Sequence, residues 1–180
     1  MVLAVHSNAS YLNEEEAQSR AGGHHYLSKN VPLPSNNGAI HNVAKILKGV
    51  MSSAAEAELG AMYINSQKAV EERIILQEMG HEQPATPVQV NNSTAKGIAN
   101  KRVVQPKRTK AMGMHFHWLR YCYILNQFRF FWRPGSTNYA NYCTKHHPAA
   151  HHQNMRSIFL TPFSQVLEFR KNQISTARVC

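Results

Sequence analysis

The chain has 180 residues and a formal net charge of +10, and all ten acidic residues are glutamate, whereas asparagine occurs fifteen times. The length favours one domain, and the lack of aspartate excludes sites that require it, such as an aspartic protease pair, a kinase metal site or an EF-hand. Residues 1–82 carry six basic and nine acidic side chains, whereas residues 83–180 carry fourteen basic side chains and one acidic side chain. So basic a C-terminal half is typical of a segment that binds a polyanion, although a solvated basic surface has the same composition.

Strands and helices are both predicted along the chain. Apolar runs and turn residues predict strands at residues 2–5, 21–28, 39–48, 88–90 and 128–132. Helices are predicted at 53–80, 93–100, 111–125 and 137–147, and residues 157–180 show no clear period. This order is an α+β pattern around one mixed sheet.

The long helix has the clearest boundaries. Ser53-Ala54-Ala55-Glu56 is a capping box, in which the serine accepts from the third backbone N–H and the glutamate reaches back. Gly80 is a good C-terminal stop. Apolar residues recur between them at helical spacing, namely Ala55, Leu59, Met62, Tyr63, Ala69 and Val70. A helix of about seven turns is therefore expected.

The three cysteines, Cys122, Cys143 and Cys180, form no C-x-x-C pair. This usage favours a reducing compartment over secretion. The apolar runs are far shorter than the ~20 residues that a membrane span needs, and polar residues 6–10 interrupt the N-terminal apolar run before it could form a signal-peptide core. We therefore expect a cytoplasmic or nuclear protein with no membrane partner.

Ordered motifs lie at the ends of the predicted strands and helices. They are SNASY at 7–11, SRAGG at 19–23, MSSAAEAE at 51–58, VNNSTA at 90–95, KAMGMHFHWLR at 110–120, WRPG at 132–135 and ANYCTK at 140–145. In this order they resemble the ribonuclease H domain of copia-type LTR retrotransposons. The resemblance implies a ribonuclease H-like fold over residues 1–156, with a five-stranded mixed sheet flanked by helices, followed by a tail at 157–180 of unknown structure.

The same resemblance implies an origin in a Pol polyprotein and a two-metal chemistry. The family hydrolyses the RNA strand of an RNA–DNA hybrid with two Mg²⁺ ions, held by three aspartates and one glutamate. Carried over to this chain, the glutamate is Glu58, and the aspartate positions are Asn8, Asn91 and Asn141. Because asparagine is neutral, Asn8, Asn91 and Asn141 are expected to act as metal ligands only if the chain binds a metal ion at all. We therefore expect that Mg²⁺ is not productively bound and that the chain is inactive.

The glutamate assignment has an alternative at Glu56. Both residues lie at edges of the apolar stripe of the helix, so periodicity does not separate them. Glu56 already has a place in the capping box. Glu58 is followed by Leu59-Gly60-Ala61, which resembles the hydrophobic-x-A sequence after the catalytic glutamate of the family. Glu58 is therefore preferred.

Further departures from the family pattern concern Gly113, where the family has aspartate, and His115, where it has arginine. Together with the missing aspartates they indicate a decaying or hypermutated element copy. Deliberate replacement of the metal ligands is the alternative, but it does not explain Gly113.

A basic cluster precedes the second long helix. Lys101, Arg102, Lys107, Arg108 and Lys110, together with Arg133, are predicted to contact the phosphates of a hybrid duplex, which is recognised by shape and backbone. The alternative is a solvated basic loop. Three aromatic residues, Phe116, Trp118 and Trp132, are predicted to lie in the core.

The histidines suggest a second kind of site. His146, His147, His151 and His152, with Cys143 nearby, could bind zinc. The family carries a similar H-H-P-A-x-H-H stretch, which favours an inherited tail instead. The adjacent residues His24 and His25 are predicted to have a packing role and a surface position.

Three functions remain open from the sequence. The chain is a hybrid-cleaving endonuclease, a catalytically dead nucleic-acid-binding module, or a degenerate fragment with no selected role. In the intact polyprotein the partner would be a reverse transcriptase domain. No such domain precedes the first predicted strand here, which favours the fragment.

Overall fold

A computed structural model describes residues 1–36, 38–93, 97 and 113–160 of the chain. The chain forms two compact units, Met1–Lys145 and His146–Cys180, and each is described by itself. The basic cluster at 101–110, most of the helix predicted at 93–100, and residues 161–180 of the tail lie outside the described residues.

Five strands and three α-helices are described. The strands are β1 (Val2–Ser10), β2 (Ser19–Ser28), β3 (Ala39–Leu47), β4 (Thr86–Val90) and β5 (Phe128–Trp132). The helices are α1 (Ala54–Glu78), α2 (Gly113–Ile124) and α3 (Ala149–Phe159). Short 3-10 helices lie at Glu15–Ala17, Gly135–Thr137 and Tyr139–Thr144.

The strands form one mixed sheet in the order β3-β2-β1-β4-β5. Strands β1, β2 and β3 are antiparallel neighbours, and β1, β4 and β5 run parallel. A parallel connection needs a crossover, which α1 supplies between β3 and β4. The predicted fold class, a five-stranded mixed sheet flanked by helices, is confirmed.

The main core lies between the sheet and helices α1 and α2. Alternate residues of β1 point toward α1, so Leu3 and Val5 are buried against it. Helix α1 contributes Leu59 and Met62, and α2 contributes Leu119. Val88, Val90, Phe128 and Phe130 complete this cluster from β4 and β5. The core therefore fixes α1 against the strand that carries Asn8.

Helix α1 begins and ends as its sequence predicts. The Ser53 hydroxyl accepts from the Glu56 N–H at 3.2 Å, and the Glu56 carboxylate accepts from the Ser52 N–H at 2.6 Å, one residue before the N-cap. At the other end Gly80 has φ +83° and donates its N–H to the Gln77 carbonyl at 2.9 Å. Because glycine adopts this φ without strain, the helix stops there.

Of two predictions about the C-terminal part, one holds in part and one is wrong. The helix predicted at 137–147 is a 3-10 helix, and the extended backbone of Asn138 separates it from the preceding 3-10 turn. Trp132 is 46% exposed, because it is the last residue of the edge strand β5. Phe116 is buried and Trp118 packs against the core, as predicted. Helix α3 was not predicted, and none of its residues is buried.

None of the described helices has the length and apolarity needed to cross a membrane.

Candidate functional site

Strand register brings two of the carried-over positions to the same edge of the sheet. β1 and β4 are parallel, and His6 pairs with Gln89. Asn8 lies two residues further along β1, and Asn91 directly follows Val90, the last residue of β4. Because β1 and β4 are parallel neighbours, the two asparagines lie near the same edge of the sheet.

Asn141 reaches this edge from the 3-10 helix Tyr139–Thr144, which is seated on β2. Gly22, the residue opposite Asn8 in the register, makes this approach possible. A Cβ at Gly22 would lie 2.5 Å from the Ala140 carbonyl oxygen and 2.5 Å from Thr144 Cγ2. A larger residue would therefore push the 3-10 helix away from the sheet.

Asn8 and Asn141 are joined directly. The side-chain Nδ2 of Asn8 donates to Asn141 Oδ1 and to Thr144 Oγ1, each at 3.0 Å. The Thr144 hydroxyl in turn donates to the Asn141 carbonyl at 2.9 Å. Asn8 is 1% exposed, and its Oδ1 has no hydrogen-bond partner among the described residues. These bonds tie β1 to the 3-10 helix.

Glu58 lies in the second turn of α1 and reaches the end of β1. Its carboxylate accepts from the backbone N–H of Ala9, and burial raises the pKa of Glu58 to about 7. Its Oε2 is buried without a hydrogen-bond partner in the described part of the chain. Glu56, the alternative, is engaged at the helix cap. Geometry thus places Glu58, rather than Glu56, beside the strand that carries Asn8.

Asn91 is held by the turn that follows β5. Its backbone carbonyl accepts from the Trp132 indole N–H at 2.9 Å. A Cβ at Gly135 would lie 3.3 Å from Asn91 Nδ2, so the turn packs tightly against the side chain. Arg133, in the same turn, donates its N–H to the Val90 carbonyl at 3.1 Å. Of the six predicted phosphate contacts, Arg133 is the one described, and it lies at this edge.

A buried aromatic and imidazole cluster beneath the site escaped sequence analysis. His6 Nδ1 accepts from the Tyr139 N–H at 3.1 Å, and its Nε2 lies 3.1 Å from the Tyr26 hydroxyl. Burial, with smaller effects of His24 and Arg133, lowers the pKa of His6 to about 3. The ring is therefore neutral, and it fastens the 3-10 helix to β1. The sequence feature that marks it is the polar run at residues 6–10, which continues a buried apolar strand.

The adjacent histidines of β2 are both fully buried. The expectation that His24-His25 serves packing is correct, and the expectation of a surface position is wrong. His24 faces the cluster beneath the site, with ring centroids 5.9 Å from His6. His25 points to the other face of β2, toward α1.

The donor set does not fit a pair of Mg²⁺ ions. Two divalent ions need several carboxylates to offset their mutual repulsion. Among the described residues the site offers one carboxylate, Glu58, and its pKa of about 7 leaves it partly protonated at neutral pH. Asn8 gives its Nδ2–H to Asn141, and its buried Oδ1 is an uncharged oxygen that cannot offset this repulsion.

The histidine-rich segment of the second unit does not assemble a metal site in its described part. The rings of His147 and His151 stack with centroids 4.1 Å apart. No three ligand-type residues among the described positions from 146 to 160 converge. The zinc interpretation of this segment has no support in the described geometry.

Comparison with known proteins identifies the fold. No family model and no curated protein sequence matches the chain. The structure of LC11-RNase H1, isolated from compost by a metagenomic approach, matches with a TM-score of 0.54 and 10% sequence identity, over 79% of this chain and 91% of that chain. A crystal structure of LC11-RNase H1 in complex with an RNA/DNA hybrid matches with a TM-score of 0.48 and 12% identity, over 76% and 88%. The chain has a ribonuclease H-like fold.

Proposed function

We propose that the chain is a catalytically inactive ribonuclease H-like domain that binds nucleic acid, an RNA–DNA hybrid above all. We further propose that it derives from a copia-type Pol polyprotein, with the domain at residues 1–156, a tail at 157–180 and a reverse transcriptase domain as partner in the intact polyprotein. The observation that carries the proposal is the hydrogen bond between Asn8 and Asn141. It occupies the centre where the resembling family has carboxylates.

The loss of cleavage follows from the chemistry of that centre. Hydrolysis by two metal ions requires negatively charged ligands that hold and neutralise the ions, which then activate water. Asn8, Asn91 and Asn141 contribute no charge, and among the described residues Glu58 is the acid of α1 that contacts the end of β1, through the Ala9 N–H. The hydrogen bond between Asn8 and Asn141 lets the two amides lie side by side without a cation between them.

Binding follows from charge. Residues 83–180 carry fourteen basic side chains and one acidic side chain, and a basic surface attracts phosphates by releasing counterions. The neutral amides of Asn8, Asn91 and Asn141 lack the negative charge with which carboxylates would repel the phosphates of a nucleic acid. We therefore expect binding without turnover.

The experiment is a fluorescence anisotropy titration of the full chain with a labelled hybrid, single-stranded RNA and duplex DNA. The affinity for the hybrid should fall steeply as salt rises from about 50 to 200 mM. Replacing Lys107, Arg108 and Lys110 with alanine should weaken binding and flatten the salt slope by about three. A matched variant with Lys29, Lys45 and Lys48 replaced, which removes equal charge from the first half, should bind almost as the parent does.

Two results would contradict the binding proposal. One is a salt slope near zero for the parent chain. The other is equal loss of affinity in both triple variants, which would mean that only net charge matters. Either result would favour a degenerate fragment with no selected role.

A further inference from the structure

Three metal-ligating side chains meet on the side of the sheet that faces α1, away from the Asn8–Asn141 centre. His25 of β2 and His41 of β3 are cross-strand partners, with ring centroids 5.1 Å apart. Glu72 of α1 lies between them, with Oε2 2.7 Å from His25 Nδ1 and Oε1 2.7 Å from His41 Nδ1. The ligand atoms of these residues all lie within 4.8 Å of one another.

The His25 ring is oriented by a fully buried amide. Its Nε2 lies 3.2 Å from Asn65 Oδ1. The orientation of the Asn65 amide is fixed, because its Nδ2 donates to Ser7 Oγ at 3.0 Å and to the carbonyls of Gly22 and Ala61 at 2.9 Å. Oδ1 therefore accepts, and His25 Nε2 donates. This leaves Nδ1 as the nitrogen that faces the cluster.

A histidine that binds a metal through one ring nitrogen usually donates a hydrogen bond from the other ring nitrogen. This hydrogen bond fixes the tautomer and the orientation of the ring. Gly23 makes the bond possible, because a Cβ there would lie 1.8 Å from Asn65 Oδ1. The local backbone is thus built around the Asn65–His25 contact.

We propose that His25, His41 and Glu72 bind a divalent transition-metal ion of the zinc class. Two imidazoles and one carboxylate are the donor set of zinc sites with three protein ligands, and imidazole selects against Mg²⁺. His25 is fully buried, Glu72 is 15% exposed and His41 is 39% exposed. The ion therefore enters beside His41, where its fourth position is open to water. On binding, the ion takes the place of the protons between Glu72 and the two Nδ1 atoms, which are released to water. It then links β2, β3 and α1.

The proposal is independent of the function proposed above. It uses none of Asn8, Asn91, Asn141 or Glu58, and it requires no nucleic acid. No sequence motif marks the site, because its ligands come from three elements that meet only in the folded sheet.

The test is isothermal titration calorimetry of the full chain with Zn²⁺, together with the visible absorption of bound Co²⁺. The parent should bind one ion at this site, show intense d–d bands with Co²⁺ and gain thermal stability on adding Zn²⁺. Glu72→Gln keeps a hydrogen-bond acceptor but removes the charge. His41→Leu changes the most exposed of the three side chains, 39% exposed. Each variant should bind at least tenfold more weakly and lose the spectrum, and excess Mg²⁺ should not displace the ion.

The control replaces His146, His147, His151 and His152 with alanine and should retain both the spectrum and the stabilisation. Should the tail variant abolish the Co²⁺ spectrum while His41→Leu preserves it, the ion binds in the tail and the proposal fails. Absence of Zn²⁺ binding to the parent would equally overturn it and leave a hydrogen-bonded His–Glu cluster. Circular dichroism confirms that each variant is folded.

Discussion

The side chains of Asn8 and Asn141, 133 residues apart in the chain, share a hydrogen bond of 3.0 Å at the buried end of strand β1. An amide pair can form such a bond because one partner donates and the other accepts. Two carboxylates in the same places would repel each other unless cations lay between them. The bond therefore favours a metal-free site.

Asn8→Asp should destabilise the metal-free chain by about 2–4 kcal/mol, since it removes an N–H donor and buries a second acid near Glu58. Urea denaturation at neutral pH measures the change. Asn13→Asp, at an exposed position, is the control and should change stability by less than about 0.5 kcal/mol. Equal stability of the Asn8 variant and the parent would show that the amide bond contributes nothing.

Restoring Asn8→Asp, Asn91→Asp and Asn141→Asp together should recover Mg²⁺ binding, because with Glu58 they rebuild four carboxylates. Each single restoration should bind little. Calorimetry measures the binding, and thermal unfolding should show the triple variant less stable than the parent without Mg²⁺ and stabilised by it. A triple variant that binds no more Mg²⁺ than the parent would refute the assignment of these positions.

The stability of the chain should decrease as pH rises through the pKa of Glu58. That pKa is raised from 4.5 to about 7, so the folded state binds a proton that the unfolded state releases. The stabilisation that proton binding to Glu58 provides is complete below about pH 4.5 and is lost as pH passes 7. The free energy of unfolding should fall by about 3 kcal/mol over this range. Glu58→Gln should remove this decrease, and Glu78→Gln, on the exposed end of α1, should retain it. Parallel pH profiles for the parent and Glu58→Gln would contradict the pKa shift.

Gly22→Ala should displace the 3-10 helix that carries Asn141, because the new Cβ would lie 2.5 Å from the backbone oxygen of Ala140. Overpacking of this kind costs about 1–3 kcal/mol. Chemical denaturation measures the loss, and nuclear magnetic resonance of the Asn141 side-chain amide should report the altered hydrogen bond. Gly49→Ala, where a Cβ would meet its nearest atom at 3.9 Å, is the matched control. A change in stability no larger than that of the control would show that Gly22 does not limit the approach.

Local sequence rules predicted the elements whose cause is local. β5 has the predicted bounds because its aromatic run and the following Pro-Gly turn are adjacent in the chain. Helix α1 has the predicted ends because its capping serine and terminal glycine define them. Strand β1 extends five residues beyond the prediction to Ser10, because His6 and Asn8 are buried by partners distant in sequence.

The site was predictable only as a set of positions. Resemblance to a family indicated Asn8, Asn91, Asn141 and Glu58, but not the hydrogen bond between the first and third. That bond depends on the close approach of the 3-10 helix at Gly22. The meeting of His25 with His41 depends on the register of β2 with β3, and its completion by Glu72 depends on the packing of α1. No pattern within a single segment of the sequence indicates either of these contacts.

The central claim is that the chain binds a hybrid duplex and does not cleave it. The most direct measurement incubates the purified chain with a labelled RNA–DNA hybrid and Mg²⁺ or Mn²⁺, and follows binding and cleavage in the same samples. We predict saturable, salt-dependent binding with no cleavage above that of the Glu58→Ala variant. Metal-dependent cleavage by the parent that Glu58→Ala abolishes would contradict the account, because it would show that three asparagines and one glutamate suffice for catalysis.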